Sequence, residues 1–96
     1  MKTDNREVLQ VIFRKEKNGN IAAFFPGMRC TYGKIACYYH IGQHGEADIL
    51  YYMNDTKAAT EKEYMPLLKE LQGIYDDCRI RIRQRLPNGG NVKAWY

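Results

Sequence analysis

Chemistry in this chain could begin at His40 and His44, which with Gln43 bracket Gly42. Two imidazoles close together can serve as general base and general acid near neutral pH, as in phosphodiester cleavage. Glu46 and Asp48 are the carboxylates near enough in sequence to orient one of them, yet a histidine and a glutamine at a turn more often hydrogen-bond the loop backbone. The same region supplies Cys30 and Cys37, which with the histidines spell C-x6-C-x2-H-x3-H, a set of soft sulfur and imidazole donors of the kind zinc takes. The spacing fits zinc poorly. Structural sites pair cysteines ~2–4 residues apart on a knuckle, whereas residues 37 and 40, three apart on a strand, face opposite sides. The expectation is therefore no metal and no cofactor, with Cys37 a small core hydrophobe and Cys30 a loop thiol. No basic neighbour or helix start lowers either thiol's pKa, so a cysteine nucleophile is disfavoured. Asn88-Gly89-Gly90-Asn91 opens no helix and is not a phosphate loop.

A second candidate surface is electrostatic. Arg79, Arg81, Arg83 and Arg85 recur every second residue with no acid between them. On a strand, that spacing places four guanidinium groups on one face at intervals of about 6.6–7 Å, twice the strand rise. If Arg14, Phe24, Tyr38, His40 and His44 lie nearby, aromatic rings beside arginines could stack unpaired bases while the arginines neutralise phosphates. Arginines on an edge strand also protect against edge-to-edge aggregation.

Alternation identifies the elements that must position these groups. Glu7 to Lys15 reads as a first strand and Ile21 to Phe25 as a second, joined by a tight turn at Lys17-Asn18-Gly19-Asn20. Lys34 to Ile41 reads as a third strand, Gly42 to Asp48 as loop, and Ile49 to Met53 as a short strand or an extended segment. Thr60 and Glu63 fit a capping box. Tyr64, Leu67, Leu68 and Leu71 then form one apolar helical stripe, with Gly73 at a plausible terminus. Pro66 implies a kink, or a helix that properly begins there. Arg79 to Leu86 is the last strand, and residues 87–96 read as a flexible tail.

These elements give a single α+β domain with a folded core over about residues 6–86. It is a two-layer sandwich of order β-β-β-α-β, a mainly antiparallel sheet with one amphipathic helix on one face. A right-handed crossover would lay the last strand parallel to the first, in strand order 3-2-1-4. Leu9, Val11, Phe13, Ile35, Cys37, Tyr39, Ile41, Ile80 and Ile82 would face the helix. Ile12, Arg14, Ala22, Phe24, Tyr38, His40 and the arginines would share an open face.

Composition narrows the classes. The chain has 96 residues, is 45% hydrophobic and 27% charged, and has a mean hydropathy of -0.60. It should therefore fold in water as one domain. The longest apolar run, Ile21 to Phe25, is far short of a membrane span, and the polar start lacks a signal-peptide core, so a cytoplasmic location is expected. Three cysteines, an odd number, argue against a disulfide framework. A net charge of +4 permits polyanion binding without requiring it.

Val11-Ile12-Phe13-Arg14-Lys15, Gly19, Ile21, Ala23, Phe25-Pro26, Cys37 and His40-Ile41-Gly42-Gln43-His44, followed by Thr60, Glu63 and Tyr64, form a pattern that resembles a group of short proteins of gut anaerobes and of their mobile elements and phages. The resemblance spans residues 7 to 85 and departs at Tyr38-Tyr39 and Pro66. It implies a common fold and a mobile-element setting, and no activity. The expected function is that of a small binding or accessory protein acting through the open sheet face, by homodimerisation through Ile12, Phe24 and Tyr38 or by a protein partner. The first alternative is a module for single-stranded nucleic acid using the arginine stripe. The second is a small enzyme using His40 and His44.

Overall fold

The β-branched and aromatic residues from Glu7 onward form β1 (Glu7–Glu16), which turns back into β2 (Ile21–Phe25). Gly19 sits at φ 90° in that turn, a conformation that costs a side-chain-bearing residue dearly. The turn is closed by Gly19 N–H donating to the Glu16 carbonyl at 2.9 Å and Glu16 N–H to that of Asn20 at 2.8 Å. β3 (Lys34–Tyr39), β4 (Gln43–Asp48), α1 (Ile49–Asp55), β5 (Thr56–Ala58), α2 (Glu61–Ile74) and β6 (Cys78–Ile82) follow. The computed structural model describes residues 7–28, 32–39 and 43–86. Among them no helix is long and apolar enough to cross a membrane.

The fold is α+β, with a mainly antiparallel sheet in the order β4-β3-β2-β1-β5 and β6 pairing parallel with β1. Val11 accepts a hydrogen bond from Arg83 N–H, and Phe13 accepts one from Ala59 N–H. Carbonyls two residues apart on a strand point to the same edge, so β5 and β6 share one edge of β1, β6 along its first half and β5 along its end.

Both sheet faces are covered. On one, α2 lays Tyr64, Leu67, Leu68 and Leu71 over Leu9, Val11, Phe13, Ala23, Phe25 and Tyr38. Phe13 stacks on Tyr64 with ring centres 4.5 Å apart. On the other, α1 lays Ile49 and Tyr52 over Ile12, Ala22, Phe24, Ile35 and Cys37, joined by Leu86. The Phe24 ring meets Tyr52 edge-on at 5.0 Å.

Several expectations are corrected. In place of one helix and an open face, the described residues form two helices, one on each face. Ile49–Asp55 is helical because Asp48 caps it, its carboxylate accepting Leu50 N–H at 2.8 Å, and because Ile49 and Tyr52 fall on one side. Gln43–Asp48, read as loop, is an edge strand. β3 lies in the opposite register to that expected. Pairing of Cys37 with Phe24 and of Tyr38 with Ala23 puts Ile35 and Cys37 under α1 and Tyr38 under α2. Both of its sides are apolar, so alternation alone could not choose. The second helix begins at Glu61 and runs through Pro66, which is exposed, so the Lys62 carbonyl left without a helical donor can be hydrated. It passes Gly73 and ends at Ile74, followed by the cap Tyr75, whose N–H donates to the Leu71 carbonyl at 2.8 Å. The last strand stops at Ile82, after which the chain crosses to the α1 side, where Leu86 is buried. Ile41 and residues 87–96 lie outside the described residues.

At the start of α2, Thr60 Oγ accepts Glu63 N–H at 3.3 Å, and the Glu63 carboxylate accepts Thr60 N–H at 2.9 Å and pairs with Lys15 at 2.6 Å. Lys15 and then the Thr60 backbone hold this carboxyl at about 2, below its ordinary 4.5. A depressed folded-state pKa contributes stability above the unfolded value that is lost as pH falls through the folded one. The urea midpoint should therefore drop between pH 4.5 and 2, and Glu63→Gln should be weaker at pH 7 with a flatter profile over that range. Phe24→Ala should cost about 3–5 kcal/mol in chemical denaturation, as expected for a fully buried ring.

Candidate binding surface

The residues expected to form an aromatic platform are scattered. Ile12, Phe24 and Tyr38 are 1%, 0% and 0% exposed, and Tyr38 lies on the face opposite Phe24. None of them offers a ring to a base or a face to a second copy. His40 and Cys30 lie outside the described residues. His44 is exposed on β4. Its Nε2 is 3.0 Å from the Tyr75 hydroxyl, and its ring meets Tyr38 edge-on at 4.6 Å. This imidazole thus ties the edge strand to the end of α2. Cys37 faces α1, so the sheet separates its sulfur from His44, and burial pushes its thiol up. Among the described residues no three His, Cys, Asp or Glu side chains converge on a metal position.

Arg14 has a structural environment. Its Nε donates to Thr56 Oγ1 at 2.9 Å and its terminal nitrogen to the Thr56 carbonyl at 2.7 Å, with the guanidinium 4.9 Å from the Tyr52 ring centre. Thr56 Oγ1 also donates to the Tyr52 carbonyl at 2.6 Å. The arginine therefore fastens the end of α1 and the start of β5 to β1. A second fastening is the Glu16 carboxylate, which accepts from both the Tyr39 and the Tyr51 hydroxyls. Burial first, then nearby negative charge, raises the Tyr39 phenol, and the bond to Glu16 pushes Tyr51 up to about 12. A cleft of about 380 Å³ opens beside the β1–β2 turn, where Tyr39, Gln43 and Asn20 meet Glu63.

What remains of the arginine stripe is at β6. Arg79 and Arg81 are exposed on the strand, on the side away from Ile80 and Ile82, whose side chains pack toward α2. Arg83 lies past the end of the strand and donates to Gln10 Oε1 at 2.8 Å; Arg85 is exposed in the bend beyond. Four guanidinium groups in one straight row are therefore not formed, because the chain leaves the sheet after Ile82. Val8 and Gln10 pair with Arg79 and Arg81 in register, so the β1 residues directly opposite these two arginines are uncharged. Among the described residues, Arg81 and Arg85 have no ion-pair partner, and no strand pairs with the outer edge of β6.

Comparison of the chain with protein-family models, with curated proteins and with solved structures returns no match.

Because Arg14 serves the fold, Arg14→Ala should destabilise the protein by about 1.5–3 kcal/mol, the range for hydrogen bonds from a charged group, and should leave ligand binding by the folded fraction unaltered. Thermal or urea unfolding alongside a binding titration separates the two effects.

Proposed function

We propose that this protein is a binding or accessory protein whose working surface is the outer edge of β6, and that its partner is a negatively charged protein. The observation that carries this reading is that, among the described residues, the exposed Arg81 on β6 and Arg85 in the bend after it have no ion-pair partner and no strand pairs with the outer edge of β6. Desolvated charge without a partner is costly inside a protein, but at a rim it steers and selects an oppositely charged one.

Self-association through this edge is disfavoured. With Ile80 and Ile82 as the outward-bonding residues, an antiparallel pairing of two β6 strands sets arginine against arginine in every register, and like charges directly opposite are destabilising. Recognition of single-stranded nucleic acid has lost its stacking surface, since Phe24 and Tyr38 are in the core. Phosphate neutralisation alone would give only unspecific binding.

The test uses polyglutamate as the probe and a single-stranded oligonucleotide as the comparator. Polyglutamate should bind, weaken with added salt, and lose about fivefold or more in affinity in the double variant Arg81→Gln, Arg85→Gln, as two exposed ion pairs of ~0.5–1 kcal/mol each would give. Equal binding by the variant would overturn the proposal. An oligonucleotide held more tightly than polyglutamate would transfer the surface to nucleic acid.

A further inference from the structure

We infer that the partner joins β6 as an extra antiparallel strand, presenting acidic side chains at alternate positions and apolar ones between them. This inference rests on the proposed β6 surface and adds the form of the ligand.

The backbone of β6 has a determined polarity. Arg83 N–H donates to the Val11 carbonyl at 2.8 Å, so residues 83, 81 and 79 turn their peptide groups toward β1, in keeping with the parallel register of Leu9 with Ile80 and Gln10 with Arg81. Residues of opposite parity turn theirs outward. The N–H and C=O of Ile80 and Ile82 thus point away from the sheet, with no described strand to receive them. They form a template of two donors and two acceptors, the kind of edge that strand-adding ligands use.

Side chains sort by the same parity. In an antiparallel pair, residues that exchange both hydrogen bonds lie opposite each other, and the intervening pairs sit closer, with Cα atoms about 4.5 Å apart. Partner residues opposite Ile80 and Ile82 would make the backbone bonds and place their side chains on the α2 side. There both isoleucines are only half-buried against the core, so apolar partners would extend an existing cluster. The residue opposite Arg81 would occupy the close pair on the other face, where the register neighbours of Arg81 and Arg79 are Gln10 and Val8. A carboxylate opposite Arg81 meets a guanidinium that, among the described residues, no acid already pairs. Charge and hydrophobicity therefore both call for the repeat apolar-acidic-apolar-acidic, and the arginines that repel a second β6 attract this one.

The test uses synthetic peptides and the full chain. A capped peptide alternating valine and glutamate should bind about tenfold more tightly than one with the same residues in two blocks, a ratio in the range of one or two net hydrogen bonds. Backbone N-methylation of the valines removes the donors aimed at Ile80 and Ile82 and should abolish that advantage, whereas N-methylation of the glutamates, whose N–H groups face outward, should not. Arg81→Gln should weaken the alternating peptide more than the block peptide. Equal affinity for alternating and block peptides, or indifference to valine methylation, would overturn strand addition while leaving the charged surface in place. Loss on glutamate methylation alone would overturn the antiparallel register. Failure of the arginine variants to change binding of either peptide or of polyglutamate would instead remove the underlying surface.

Discussion

A strand with apolar side chains on both faces must be covered twice, and this requirement governs the molecule. β1 sends Leu9, Val11 and Phe13 one way and Ile12 the other, and β2, with the sequence IAAFF, sends Ala23 and Phe25 one way and Ala22 and Phe24 the other. A single helix would leave one of these rows in water at a cost of about 1.5–3 kcal/mol for each large side chain. The cover on the second side is α1, only seven residues long and too short to be stable alone. Polar contacts at its ends hold it in place: the Asp48 cap, the Tyr51–Glu16 bond, and Arg14 gripping Thr56 beneath Tyr52. Residues suggestive of a ligand site by type, Arg14 above all, are thereby used to seat a helix.

With both faces consumed by packing, the sheet edges are what the fold leaves available. They differ in sign. β4 carries His44, Glu46 and Asp48, with Lys34 3.9 Å from Asp48, whereas β6 carries Arg79 and Arg81. On β4, His44 bonds the Tyr75 hydroxyl and anchors that edge to α2. On β6 the outward peptide groups of Ile80 and Ile82 lie beside the exposed Arg81, and among the described residues no strand pairs with that edge. The proposed function is thus a consequence of how the core was closed.

The parts of this arrangement that were legible in the sequence are those with one apolar side or a local chemical signature. The hairpin at Asn18-Gly19, the capping box at Thr60 and the Tyr64–Leu71 stripe occur where their residue types require. β3 was ambiguous because Ile35, Cys37 and Tyr39 are no more apolar than Ala36 and Tyr38 together, so only pairing with β2 decides which set meets which helix. α1 was obscured by residues that favour strands, Ile49, Tyr51 and Tyr52, although Asp48 ahead of them is a helix-starting residue. β4 (Gln43–Asp48) has Ala47 as its one apolar side chain larger than glycine's, so it carries no periodic signal. One signal could have revealed the second layer: five uninterrupted apolar residues at Ile21–Phe25 mark a strand buried on both faces. The arginine repeat was visible, but its interruption after Ile82 was not, since nothing in Arg83–Leu86 marks the crossing except that Leu86 is buried on the other side.

β6 pairs with β1 on one edge and, among the described residues, with no strand on the other, a difference that amide hydrogen exchange resolved to single residues reads out. Residues turned toward β1 should be protected and those turned outward should not. Exchange should be slow at Arg81 and Arg83 and fast at Ile80 and Ile82 in the protein alone, with the latter two slowing when an alternating acidic peptide is added. Protection of Ile80 and Ile82 in the absence of any ligand would contradict this, because the edge would then already be occupied.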